Sequence, residues 1–336
     1  MKAALFDEPR GPDSLKVKEI EDYKVGDHEV LVKVDYCGVN PVDNSVVSGI
    51  YKASPIPHIP GGEVVGIVEK AGAHSGFKGG ERVINYQRVF CGDCNYCLSS
   101  REMLCKRGGI VGVATQGCYA EYMLLPASSA FIVPYNIPDE LAVSLPVGAL
   151  TAYHALKRAR ISNEDRVLVF GASGNTGLFL VQLAKLMGAK HVTAVTRKDW
   201  VRDYGADELI SVNKLREKVR EPEYKFDVVI DPLGSQLFDI SLESLDSGGR
   251  VIVFGVLTGE ESKLNLGSLY RREFEVIGST GGSRRELKEI IELASKGKLK
   301  VKVWRKYSLE EASKAIKELR DESREGRILI KPRWEQ

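Results

Sequence analysis

The sequence predicts an α/β protein of two domains, an irregular β-rich one and a doubly wound parallel sheet. Three observations predict it. Short β-rich runs separated by turn residues fill the first third of the chain. From Arg166 onward, continuous apolar strands alternate with helical stretches. The change of texture falls near residue 140. With 336 residues, 43% of them hydrophobic, the chain is long enough to bury two cores.

In the β-rich part, Val30 to Val34 reads as one strand. Glu63 to Val68 reads as a second, preceded by the turn residues Pro60, Gly61 and Gly62, and Tyr119 to Leu125 as a third. Leu141 to Lys157 has a helical pattern. The alternating series then begins with the strand Val167 to Phe170, a glycine turn, and a helix from Leu178 to Met187 that Gly188 ends. Val192 to Val195, Val228 to Ile230 and Val251 to Phe254 are further apolar strands. After Gly282 the pattern gives a helix over Arg284 to Ser295, a strand near Val301, a helix over Leu309 to Leu319 and a last strand, Ile328 to Ile330.

Charge and hydropathy exclude several functions. Lys and Arg number 48 against 46 Asp and Glu, a net charge of +2, so no nucleic-acid partner is expected. No stretch approaches ~20 apolar residues, so no membrane span is expected. The opening MKAALFDEPRG has no apolar signal core, and the cysteines are gathered rather than scattered; both point to a cytoplasmic protein. A charged fraction of 28% points to a thermophile.

Four cysteines, Cys91, Cys94, Cys97 and Cys105, lie in one lobe spanning residues 90–106. Four thiolates this close on a short segment suit a tetrahedral Zn²⁺ in a closed, structural site that leaves the metal no open position for chemistry. The alternative is four packed or disulfide-linked thiols. Cys37 and Cys118 stand alone and read as small buried residues.

The turn Gly171-Ala172-Ser173-Gly174-Asn175-Thr176-Gly177 lies between an apolar strand and a helix, the context that a dinucleotide fingerprint requires. Its glycines allow a tight turn and a close approach of the backbone to pyrophosphate, and the following helix offers its free N–H groups to the phosphates. The next strand ends in Thr196-Arg197-Lys198. No carboxylate is there to hold a ribose 2′-hydroxyl, while two cations are there to meet a 2′-phosphate. NADP(H) is therefore expected in preference to NAD(H).

The whole chain resembles the medium-chain dehydrogenase/reductase superfamily. The resemblance rests on Gly38-Val39-Asn40-Pro41-Val42-Asp43, Gly61-Gly62-Glu63-Val64-Val65-Gly66, the cysteine lobe, the glycine turn and Gly326-Arg327-Ile328-Leu329-Ile330-Lys331-Pro332. It implies a GroES-like catalytic domain over residues 1–148 and 282–336, and a Rossmann cofactor domain over 149–281. Members that oxidise alcohols hold a catalytic zinc through three ligands; the corresponding positions here are Asn40, Gly62 and Val147, none a good zinc ligand. His58 and His154 read as ordinary histidines. One structural zinc and no catalytic zinc are therefore expected.

Gly-Val-Asn-Pro-Val-Asp is the form found in zinc-independent quinone and enoyl reductases of the superfamily, which usually lack the cysteine lobe. The resemblance thus implies hydride transfer from NADPH to a quinone or α,β-unsaturated carbonyl. Two alternatives stay open: an alcohol dehydrogenase with atypical metal ligands, and a non-catalytic NADPH-binding protein. Tyr51 matches a tyrosine beside the substrate in enoyl and quinone reductases. Asn40 is expected to face nicotinamide or substrate, and Asp43 to orient its neighbours. Thr151, Gly255, Val256, Ser279 and Thr280 are expected along the cofactor, and Arg327 at its pyrophosphate. The resemblance also implies a homodimer or homotetramer, with Arg272 to Ser279 as the pairing edge of a dimer.

Overall fold

A computed structural model describes residues 1–333. Contacts divide the chain into two units, Met1–Val147 with the chain from Gly282 onward, and Gly148–Gly281.

The first unit is built on a seven-stranded mixed sheet. Its order is Val303–Ser308, Arg327–Lys331, Glu29–Gly38, Val64–Ala71, Arg82–Asn85 and Ala130–Ile132, with Tyr122–Pro126 also pairing Glu29–Gly38. Alternation along each strand gives the sheet two different faces. Ile328 and Ile330 join Val30, Val32, Val34 and Cys37 in one apolar core. Arg327 and Leu329, between and beside them, therefore point to the opposite face. That face carries the polar residues discussed below. In the pair of Lys2–Leu5 with Lys16–Glu19, Ala3, Ala4 and Leu5 all join the same core.

The second unit is a six-stranded, wholly parallel sheet in the order Glu208–Ile210, His191–Val195, Arg166–Val169, Phe226–Asp231, Leu245–Val253 and Glu275–Gly278. Val167, Leu168 and Val169 are completely buried, as expected of a parallel sheet covered on both faces.

Several boundaries differ from those read in the sequence. The helix expected over Leu141 to Lys157 is three pieces: Asp139–Ala142, a π turn Leu145–Ala149, and Leu150–Ala159. Pro146, without an N–H, breaks the ladder there. The strand expected near Val301 begins at Val303, and the helix expected over Leu309 to Leu319 has 3₁₀ turns at both ends of a short α-helix, Ala312–Lys317. Among the described residues, no helix is long and apolar enough to cross a membrane.

Candidate active site and cofactor site

On the polar face of the first sheet, Glu63 precedes the strand Val64–Ala71 and Arg327 opens the strand Arg327–Lys331. Between them runs Glu29–Gly38, and the Gly38 N–H donates to the Glu63 carbonyl at 3.0 Å. Glu63 is 0% exposed and Arg327 3%, and the Arg327 Nη2 is ion-paired with Glu63 Oε2. A Cβ on Gly38 would collide with both partners, so the absence of a side chain at 38 lets the pair lie against the strand.

Two further donors reach the Glu63 carboxylate. Asn40 Nδ2 donates to Oε2 at 2.8 Å, and the Val147 N–H donates to Oε1 at 2.8 Å. Arg327 Nη1 closes the ring by donating to Asn40 Oδ1 at 3.3 Å. Two of the three positions where a catalytic zinc would find ligands, Asn40 and Val147, thus converge on one carboxylate already neutralised by a guanidinium. At the third, Gly62, the carbonyl accepts from Asn85 Nδ2 at 2.9 Å.

Asp43 lies behind this ring. Its Oδ2 accepts from the Asn40 N–H at 2.8 Å, fixing the start of the helix Pro41–Val47, and from the Tyr119 hydroxyl at 3.0 Å. Burial pushes the Asp43 carboxyl up to about 7; the nearby Glu63 carboxylate adds to the rise, while the two donors and Arg327 oppose it. Burial, with Asp43 beside it, also holds the Tyr119 hydroxyl well above its ordinary range.

Asn40, expected to face nicotinamide or substrate, is held at both ends of its carboxamide by Glu63 and Arg327. Arg327, expected at a pyrophosphate, places both terminal nitrogens on Asn40 and Glu63, since a carboxylate so deeply buried requires a counter-charge, while its buried Nε has no protein partner. Cys37 and Cys118 are buried as expected but do not stand alone. Their thiols interact, and Cys118 Sγ donates to the Glu63 carbonyl at 2.9 Å. Tyr51, by contrast, is 44% exposed, on the turn after Pro41–Val47, with its N–H donating to the Ser45 carbonyl.

The cysteine lobe brings Cys91, Cys94, Cys97 and Cys105 together, with all four sulfurs within 4.8 Å of one another and none in a disulfide. Cys94 and Cys97 belong to the start and body of the short helix Asn95–Leu98, and Cys105 ends the 3₁₀ turn Glu102–Leu104. Sulfur separations of 3.5 Å, 3.5 Å, 3.8 Å and 3.9 Å match the ~3.8 Å edge of a tetrahedron with Zn–S bonds of ~2.3 Å. The donor set therefore fits a structural zinc. Among the described residues, no other group of three or more His, Cys, Asp or Glu has this arrangement.

In the second unit the glycine turn joins Arg166–Val169 to the helix Asn175–Leu186. Gly171 has φ +61°, and the Gly174 N–H donates to the Gly171 carbonyl at 2.9 Å. A Cβ on Gly177 would strike that carbonyl and lie 2.8 Å from Ala172 Cα, so the helix can start this close to the turn only with glycine there. Ser173, Asn175 and Thr176 complete the turn and first helical residues. Thr196 follows the adjacent strand and its Oγ1 accepts from the Lys198 N–H at 3.0 Å; Arg197 is exposed.

Gly255 and Val256 follow Leu245–Val253. Ser279 and Thr280 follow Glu275–Gly278, with the Ser279 N–H donating to Val253. These segments share the carboxyl edge of the parallel sheet, where dinucleotides bind. The Ser279 Oγ is buried with no protein partner, an orphan hydroxyl at that edge that suits a ligand. Thr151 is near the start of Leu150–Ala159, which packs against Asn175–Leu186, the helix that the glycine turn opens.

Known proteins share these features. Residues 26–135 match the alcohol dehydrogenase GroES-like domain and residues 176–296 the zinc-binding dehydrogenase domain. Acryloyl-coenzyme A reductase of Sulfurisphaera tokodaii is 31% identical over 338 residues, covering 99% of this chain and 100% of that protein. The chain belongs to the medium-chain dehydrogenase/reductase superfamily. A second superfamily member, acryloyl-coenzyme A reductase of Metallosphaera sedula, is 32% identical over 94% of the chain and 96% of its own length. A cobalt- and zinc-bound thermostable alcohol dehydrogenase from Pyrobaculum aerophilum is 41% identical, with a TM-score of 0.93 and 99% of both chains covered. As a member of the superfamily the protein is an oxidoreductase, and its family implies a nicotinamide cofactor and zinc.

The sequence did not single out Tyr119, which meets Asp43 across 76 residues. Glu63 was visible only as a leftover carboxylate.

Proposed function

We propose that this oxidoreductase uses NADPH to reduce a quinone or an α,β-unsaturated carbonyl compound, without a catalytic metal. The observation that carries the reading is the engagement of Glu63 by three donors, one of them a guanidinium. Its carboxylate is neutralised by Arg327 and hydrogen-bonded by Asn40 and the Val147 N–H, leaving neither net charge nor a set of soft donors for a second zinc.

A Lewis acid is how the zinc members of the superfamily produce an alkoxide near neutral pH when they oxidise alcohols. A conjugated acceptor does not need one. A nicotinamide bound at the carboxyl edge of the parallel sheet would supply the hydride for the far carbon of the conjugated system. The π electrons move onto the acceptor's oxygen as an enolate or phenolate, and a proton completes the reduction. Protein donors stabilise that oxygen, each worth ~3 kcal/mol. Tyr51, exposed and on a turn, is the residue we assign to donate a hydrogen bond or proton to the acceptor. The two acryloyl-coenzyme A reductases support an enoyl thioester as the first acceptor to try. Arg197 and Lys198 support the choice of NADPH over NADH.

An alcohol dehydrogenase reading is favoured by one specific observation, the 41% identity to an alcohol dehydrogenase described as binding cobalt and zinc. One experiment separates the two. Purified protein is assayed with NADPH against quinones, enones and acryloyl-coenzyme A, and with NADP⁺ against simple alcohols, before and after chelation, with zinc per chain measured. Reduction of conjugated acceptors by protein holding about one zinc is expected. Alcohol turnover lost on chelation and restored by zinc would overturn the proposal, and tight NADPH binding with no turnover at all would indicate a binding protein.

A further inference from the structure

We infer that the Gln87 carboxamide, backed by the Arg88 guanidinium and accompanied by Tyr51, is the donor set that receives the acceptor's oxygen. The inference rests on the conjugated-acceptor reading and names the residues that replace a metal in it.

Gln87 is 6% exposed, and its Nε2 is fully buried with no hydrogen-bond partner. A buried amide left without an acceptor is costly, and proteins that keep one commonly use it. Its surroundings place it beside the position of the missing metal ligand. Gln87 precedes the short strand Arg88–Val89, and its carbonyl accepts from the Val111 N–H at 3.0 Å. The Val111 carbonyl lies 3.0 Å from where a Cβ on Gly62 would be. Gly62, in turn, is held by Asn85, two residues before Gln87.

The loop that bears Tyr51 is tied to the same turn. The Ser54 N–H donates to the Val113 carbonyl at 2.9 Å, and His58 Nε2 lies 2.9 Å from the Gly112 carbonyl. Arg88 follows Gln87 directly, and the charge of its guanidinium is felt by the Tyr86 and Tyr51 hydroxyls. Gln87, with its buried donor, and the loop that follows the accessible Tyr51 phenol are thus tied to one turn, residues 111–113. An oxygen that gains negative charge as hydride arrives is the ligand that suits such donors.

The test uses two readouts. In the first, Gln87→Met is assayed with whichever conjugated acceptor the wild-type protein reduces. We expect kcat to fall about 10- to 100-fold with KM little changed, the signature of an interaction made mainly in the transition state. Thermal stability should rise, because an unpaired buried donor has been removed. Gln87→Glu, of equal shape but without the donor, should be at least as impaired, and Arg88→Lys should retain more activity than Arg88→Met.

The second readout needs no turnover. 4-Nitrophenol, a mimic of the charged oxygen, is titrated by absorbance on the wild-type protein with NADP⁺. Bound phenol should ionise at a pH lower by about 1 unit, and the shift should vanish in Gln87→Met. Unchanged kcat in Gln87→Met, with conjugated-acceptor reduction intact, would overturn this inference and leave the proposed function standing. Absence of any conjugated-acceptor turnover in the wild type would overturn the function, while the phenol titration would still decide the donor set. No shift on the wild-type protein would overturn the donor set as well.

Discussion

Glu63 and Arg327 are 264 residues apart in sequence and form an ion pair that solvent does not reach. Removing one partner of such a pair leaves the other charged and buried, at a cost of about 3–5 kcal/mol, whereas replacing both by matched neutral groups costs far less. Arg327→Met and Glu63→Gln should therefore each destabilise strongly. The double variant should recover most of the loss. Chemical denaturation of the four proteins in a double-mutant cycle checks this, and additive losses would mean that the pair is not energetically coupled.

Asp43 gives stability a pH dependence with a defined sign. Its carboxyl sits at about 7 in the folded protein because of burial, against an ordinary value of 3.8. The folded state thus holds a proton that the unfolded chain releases. The contribution is fully present below about pH 4 and is lost as pH rises through about 7, by up to about 4 kcal/mol. Asp43→Asn cannot ionise, so its stability should lack this fall. Denaturation midpoints measured from acid to neutral pH for both proteins should diverge as pH rises; parallel curves would refute the assignment.

How much of this was legible in the sequence depends on distance along the chain. The parallel sheet was readable because each strand is a local apolar run bounded by turn residues. The cysteine lobe and the glycine turn were readable because their residues lie within 15 and 7 positions. The ring of Asn40, Glu63, Val147 and Arg327 was not, because its members come from the start, middle and end of the chain and meet only when the sheet forms. Arg327 and Asn40 were therefore noticed as functional types, but their link to Glu63 was not. The need of a buried carboxylate for a counter-charge draws Arg327 to Glu63, and that need appears only once the burial of Glu63 is known. Gln87 escaped for the same reason: an unsatisfied amide is invisible until its neighbours are in place.

The cysteine lobe should be a separable folding element. Its four sulfurs are spaced for zinc, and the free energy of metal binding at such a site is also free energy of local folding. Cys97→Ser should lower zinc content from about one per chain to near zero. It should also expose residues 91–105 to proteolysis and rapid amide exchange, while exchange in Glu29–Gly38 stays slow. Hydrogen exchange followed by mass spectrometry would detect the difference. Full zinc occupancy in the variant would show that the metal is held elsewhere.

The cofactor preference can be tested at one exposed cation. Arg197 lies just past the carboxyl end of His191–Val195, with no carboxylate at the strand's end to hold a ribose 2′-hydroxyl. A charge-assisted hydrogen bond to a phosphate is worth about 1.5–3 kcal/mol, so Arg197→Ala should weaken NADPH binding about 10- to 100-fold. NADH, which lacks the 2′-phosphate, should bind the variant and the wild type equally. Arg197→Asp should go further, repelling NADPH while offering the ribose hydroxyl the acceptor that NAD sites use. Titration calorimetry with both dinucleotides measures this directly. Equal weakening of NADPH and NADH would mean that Arg197 acts on a part the two share, and the specificity would have to lie with Lys198 or outside this strand's end.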